Sequence, residues 1–166
     1  MMLEVAIDAD AEWDSSTDWA ALVRKAAESA IAESAFPQLA TGPRAVEISV
    51  RLTGDDQVRA LNEQWRGKDR PTNVLSFPMA ETAELKSEDG PELMLGDVVL
   101  ARGICAAEAA AKAIPVADHA AHLLVHGTLH LLGGDHQDDA SAADMEAREV
   151  RALARLGIAN PYEGAG

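Results

Sequence analysis

Cysteine is nearly absent from this chain of 166 residues: Cys105 stands alone. No internal disulfide can form, which is compatible with a reducing, cytoplasmic setting, and that is the location expected. Aromatic residues make up 4%, so extended base stacking, a common source of affinity for single strands, is scarce. No apolar run is long enough to span a bilayer, and residues 1–8 carry neither a basic stretch nor a long apolar core. Neither a membrane partner nor a signal peptide is therefore expected. Positive charge is also scarce, with 14 Lys+Arg against 28 Asp+Glu and a formal net charge of -14. Sequence-blind binding to nucleic acid works by neutralising phosphates, so the chain as a whole is excluded from that class. No internal repeat or low-complexity tract interrupts it.

What is present fits one domain, residues 1–166, with an ordinary balance of 48% hydrophobic and 25% charged residues. Residues 3–8 and 45–53 alternate apolar and polar side chains and read as strands, joined by short strands at 74–77 and 95–101. Residues 18–33 form an alanine-rich helix, and Asp55 and Asp56 are expected to cap another that runs to about 65. Residues 37–43 read as loop, 67–72 as a basic turn, and 80–92 as an acidic polar loop. Helices follow at 103–113, 116–132 and 140–156, the first two separated by Pro115. Strands come early and helices late, which predicts an α+β fold. The few basic residues are uneven: Arg51, Arg59, Arg66, Lys68 and Arg70 cluster, and none lies between 113 and 146.

All five histidines, His119, His122, His126, His130 and His136, fall within 18 residues. At about 100° per residue, the first four lie within an arc of roughly 80° on one helix face. Packing several imidazoles together wastes apolar surface and leaves donors to satisfy, whereas metal binding uses them. His126 and His130, at i and i+4, can point at one ion. Gly133 and Gly134 can stop the helix, because glycine accepts the left-handed conformation, and the turn can return His136 beside them. Three histidines and an open fourth position describe a catalytic zinc site; nickel and copper also accept imidazole. The spacing resembles the long zinc motif of metzincin proteases, but those enzymes place a glutamate base directly after the first histidine, where Gly127 stands here.

Residues 121–136, Ala-His-Leu-Leu-Val-His-Gly-Thr-Leu-His-Leu-Leu-Gly-Gly-Asp-His, resemble the signature of the YbeY family of rRNA-maturation endoribonucleases. Further blocks agree in family order: Leu61-Asn62, Trp65-Arg66-Gly67-Lys68, residues 71–78 (Pro-Thr-Asn-Val-Leu-Ser-Phe-Pro), residues 95–100 (Leu-Gly-Asp-Val-Val-Leu), Met145-Glu146 and Pro161-Tyr162. The family usually has an aromatic residue where Gly134 stands, a departure that removes no ligand. The resemblance implies a small mixed β-sheet of about four strands packed with helices, including a zincin-like metal-binding helix. It implies one zinc ion on His126, His130 and His136, and matches the family's arginine to Arg66. It also implies trimming of precursor rRNA at the 3′ end of the 16S RNA, ribosome quality control, and the ribosomal particle with its proteins as partners, rather than DNA.

A guanidinium can hold phosphate oxygens bidentately at any working pH, which suits Arg66, with Lys68 and Arg70 extending a phosphate track. Asp135 is either an acceptor for the far N–H of a ligand histidine or a turn residue. Asp97 is open between the same acceptor role and capping, and His122 between support of a ligand and packed polar core. Cys105 reads as a small buried hydrophobe. Two other functions stay open: a ribosome-assembly factor with a mainly structural zinc, and a metallopeptidase-like hydrolase, against which Gly127 counts.

Overall fold

The computed structural model of the chain describes residues 2–70, 72–87, 90–134 and 138–162. Alternation decides its sheet. Strand β2 (Ala45–Thr53) sends Val46, Ile48, Val50 and Leu52 into the core and leaves the residues between them partly exposed, the period of two that a pleated strand imposes. β1 (Met2–Ala9) and β4 (Leu93–Ala101) flank it in parallel. β3 (Val74–Pro78) closes the far edge antiparallel to β4, giving the order β1-β2-β4-β3. Parallel neighbours need crossover connections. Helices α1 (Trp19–Glu33) and α2 (Gln38–Thr41) supply the first. Helix α3 (Asp55–Arg66), β3 and helix α4 (Thr82–Lys86) lie in the second.

β4 is buried at nearly every position because it divides its side chains between two cores. Leu95, Val98 and Leu100 join the main core, whereas Val99 and Ala101 meet Val58 of α3 and Leu75 of β3. Helix α6 (Val116–Leu131) packs on β3 and β4, with α1 and α7 (Asp139–Arg155) against it and α5 (Arg102–Lys112) beside it. Ala26 and Ala30 of α1 are wholly buried, and their small side chains let the helices approach closely. Gly96 marks an irregularity in the β2–β4 register. Its φ is +139°, and a Cβ there would run into the carbonyl of Phe77, so the backbone accepts only glycine.

Three expectations change. Asp55 does not cap its own helix, whose N-cap is Gly54 without a side-chain bond. Its carboxylate instead accepts from the Ile104 backbone N–H at 3.2 Å and so caps α5, a partner 49 residues away that no local pattern announces. Residues 37–43 contain the short α2. Within the acidic segment, Glu81 and Glu84 form a reciprocal capping box for α4, and Leu85 is buried. Arg44, itself buried, donates to the carbonyls of Glu84, Ser87 and Pro91 and pins that segment to the start of β2. Cys105 is buried, and burial pushes its thiol up to about 11.

Glu33 joins the ends of two helices. Its carboxylate accepts from Arg155 at 2.7 Å and Arg151 at 2.9 Å, and its carbonyl accepts from Arg148 at 2.8 Å. The Arg155 bond above all, with Arg151 and against partial burial, holds the carboxyl below its ordinary range. A depressed carboxyl pKa contributes stability that is present above the unfolded value and lost as pH falls through the folded one. Both arginines are half exposed, which limits the effect. Glu33→Gln is expected to cost about 0.5–1 kcal/mol at pH 7. Denaturant titrations at several pH values should show the gap to wild type closing in acid.

Candidate metal centre

Helix α6 carries four of the five histidines, and its stripe divides by partner. His119 is buried and its Nε2 lies 2.8 Å from Glu108 Oε1 of α5, which also accepts from Asn73 at 3.1 Å. Burial lowers the pKa of His119, with Glu108 working against that shift. His126 and His130, one turn apart, converge: their Nε2 atoms are 3.1 Å apart, with ring planes at 76°. Two nitrogens held about 2.0–2.1 Å from one tetrahedral ion lie about 3.3–3.4 Å apart. Two facing imidazole lone pairs at this spacing need a shared proton or cation between them, so the pair fits a divalent ion.

The other side of His126 explains its orientation. Its Nδ1–H donates to Glu149 Oε1 at 2.7 Å. Glu149 stands on α7 and is 1% exposed. The same oxygen accepts from His122 Nε2 at 3.2 Å, and Oε2 accepts from the Tyr162 hydroxyl at 2.7 Å. Burial pushes the Glu149 carboxyl up, but the bonds from His122, His126 and Tyr162 outweigh it and hold the pKa at about 2. An ionised carboxylate only accepts. The proton of His126 therefore sits on Nδ1, and Nε2 presents its lone pair toward His130, the tautomer a metal ligand requires. His122 also gives its Nε2–H to Glu149, so it faces the carboxylate.

Helix α6 ends where the glycines stand. Gly133 has φ +87°, its N–H donates to the His130 carbonyl at 3.1 Å, and the Gly134 N–H donates to the Leu129 carbonyl at 2.8 Å. These two bonds form a Schellman stop. A Cβ on Gly134 would lie 2.7 Å from the Leu129 oxygen, so the close turn suits glycine at this position. Asp135 and His136 lie outside the described residues.

Asp97 is not brought to the described histidines of α6. Its neighbour Val98 meets α6, and alternation turns Asp97 to the opposite sheet face, in a groove lined by Ser49, Arg51, Trp65 and Phe77. Arg66 is the last residue of α3, before the left-handed Gly67. It is exposed, and its Nη2 donates to the Ser76 carbonyl at 3.2 Å. Residues 73 and 79 bond across to β4, so by alternation Ser76 offers its carbonyl to the free edge of β3. Lys68 and Arg70 are exposed on the loop that follows, and Asn62 fastens it by accepting from Lys68 N–H and donating to the Arg70 carbonyl.

Glu149 and Tyr162 did not emerge as site residues from the sequence. One signal for Glu149 was there: it falls on the α7 stripe with Met145, Ala152 and Leu153, all buried. An acidic residue on an apolar stripe needs a buried partner.

Gly127 has a packing reason. A Cβ at this position would lie 2.8 Å from Val98 Cγ1 and 3.4 Å from Val74 Cγ2, so α6 rests directly on β3 and β4. Overpacking costs about 1–3 kcal/mol, and alanine recovers about 1 kcal/mol of helix propensity. Gly127→Ala should therefore lose up to about 2 kcal/mol net in chemical denaturation. Unchanged stability would mean that Val98 yields freely.

Comparison with known proteins places this geometry in a family. The family described as "Endoribonuclease YbeY" matches residues 7–157. A protein of that name from Sphingopyxis alaskensis is 53% identical over 97% of this chain and 98% of its own length. Another, from Rhizorhabdus wittichii, is 49% identical over 97% of each. The solution structure of a Thermotoga maritima protein covers 98% of this chain and 100% of its own, with a TM-score of 0.55 and 21% identity, and shows the same fold. With that profile spanning most of the sequence and such relatives covering nearly all of it, the chain belongs to the YbeY family of metal-dependent endoribonucleases.

Proposed function

We propose that this protein cuts single-stranded precursor rRNA, at the 3′ end of the small-subunit RNA, with one zinc ion held by His126, His130 and His136. The observation that supports this reading best is the paired Nε2 atoms of His126 and His130, with the buried Glu149 carboxylate behind His126. When bound, the ion supplies Lewis acidity toward a phosphoryl oxygen. The chain's own groups do the rest. His126 and His130 hold and orient the ion. Arg66, anchored at the β3 edge, binds phosphate oxygens through its fork of donors. Lys68 and Arg70 continue the track along the backbone of a single strand. The absence of a side chain at Gly127 removes the base that a metallopeptidase of related motif uses.

The setting of the reaction follows from charge. A short basic loop on a chain of net charge -14 gives little affinity for arbitrary RNA. The ribosomal particle raises the local concentration of substrate, and acidic surface meets basic ribosomal proteins. A cytoplasmic site of action and a part in ribosome quality control accompany this reading. No helix among the described residues is long and apolar enough to cross a membrane.

The deciding experiment compares metal-replete protein, chelated protein and Arg66→Ala on precursor rRNA. The replete protein should cut, and faster within the particle than on naked random RNA. The chelated form should not. Arg66→Ala should keep its metal and stay within about 0.5 kcal/mol of wild type in stability, because the side chain is exposed, yet lose cleavage. His130→Ala should lose the metal by elemental analysis. Full metal with no cleavage of either substrate would favour an assembly factor with a structural ion.

A further inference from the structure

Tyr162 is 47% exposed and stands in the turn beyond α7, its backbone N–H donating to Asn160 Oδ1 at 2.8 Å. Its ring meets His122 edge-on at 5.5 Å and 88°, and its hydroxyl donates to Glu149 Oε2 at 2.7 Å and lies 3.2 Å from His122 Nε2. The two carboxylate oxygens thus have separate duties. Oε1 holds His126 and His122, and Oε2 holds Tyr162. The last torsion of a glutamate is broad. Bonds to one oxygen alone leave the carboxylate free to pivot, and a bond to the second fixes its plane.

We propose that Tyr162 and Glu149 are positioning residues for the metal centre: the Tyr162 hydroxyl fixes the Glu149 carboxylate, which holds the Nδ1 proton and the ring orientation of His126. The inference rests on the reading of His126 and His130 as metal ligands. A tie between helices is a poor alternative account. A buried ionised group held by polar partners is often no more stabilising than a well-packed apolar substitute, so stability alone does not explain the cluster. An outer carboxylate on a ligand imidazole, in contrast, fixes the tautomer and raises the basicity of the ligating nitrogen.

The test measures Zn2+ affinity by chelator competition for wild type, Tyr162→Phe and Glu149→Gln, with the visible spectrum of the Co2+-loaded proteins and the melting temperatures of the metal-free ones. Tyr162→Phe keeps the ring on His122 and removes only the hydroxyl, so it decides the matter even where Glu149→Gln folds poorly. Glu149→Gln should bind about 10- to 100-fold more weakly. Tyr162→Phe should show a smaller loss and a shifted Co2+ spectrum. Variants that melt earlier but bind Zn2+ as tightly as wild type, with the same Co2+ spectrum, would overturn the positioning role and leave the metal site standing. A wild-type protein that binds neither ion would overturn both.

Discussion

One buried carboxylate joins pieces of chain that are far apart in sequence. Glu149 on α7 receives His122 and His126 of α6 and Tyr162 of the turn beyond α7. A carboxylate that is 1% exposed would be costly without partners. Each donor it gains offsets that cost and fixes a distance between elements. The requirement runs in both directions. The imidazole of His126 can turn its Nε2 toward His130 only because its Nδ1 has an acceptor behind it. The acceptor can stay ionised in the interior only because three donors surround it. Packing of α7 on α6 and orientation of the His126–His130 pair are thus one arrangement.

A second constraint sets where that arrangement stands. Gly127 lies between the two converging histidines, and its missing side chain lets α6 rest on Val98 and Val74. The edge strand β3, which carries the Ser76 carbonyl bonded by Arg66, is among the strands that α6 covers. A larger residue after His126 would lift the helix from the strand that anchors the arginine. The same absence that closes one kind of chemistry, a base directly after the first histidine, draws the helix close to the sheet.

The sequence made local things legible and hid distant ones. β2 was readable to the residue, because alternation over 45–53 has one solution once half the side chains must be buried. The histidine stripe and the glycine stop of α6 were readable for the same reason: each depends on spacing within a few residues. Glu149 was not, because its partners lie 13, 23 and 27 residues away, and the apolar α7 stripe on which it falls says that it needs a partner without saying which. Asp97 shows the converse. Gly-Asp at 96–97 left Asp97 open between an acceptor for a ligand histidine and a cap, and the register puts Val98, and not Asp97, on the α6 face. Asp55, taken for the cap of α3, serves α5 through a contact between strand ends. Composition also misled at 80–92, where one buried leucine and a capping box make a turn of helix inside an acidic run.

Charge completes the reasoning, and it depends on placement more than on the total. The net charge of -14 opposes a polyanion, but at physiological salt a charge is felt over roughly 8 Å. The basic residues are not equivalent at that range. Arg59 is engaged by Asp69 at 2.6 Å, and Arg51 lies on the sheet face away from α6, in the groove with Asp97. Arg24, Arg148, Arg151 and Arg155 are engaged by carboxylates or carbonyls around α1 and α7. Arg66 at the end of α3 and Lys68 and Arg70 on the loop after it stand exposed side by side along the chain, and Asn62 holds that loop in place. Three such charges in a row can follow the backbone of a single strand for a few nucleotides and no further. On the proposed reading, an acidic protein with so short a cationic track meets its RNA where other molecules already hold it.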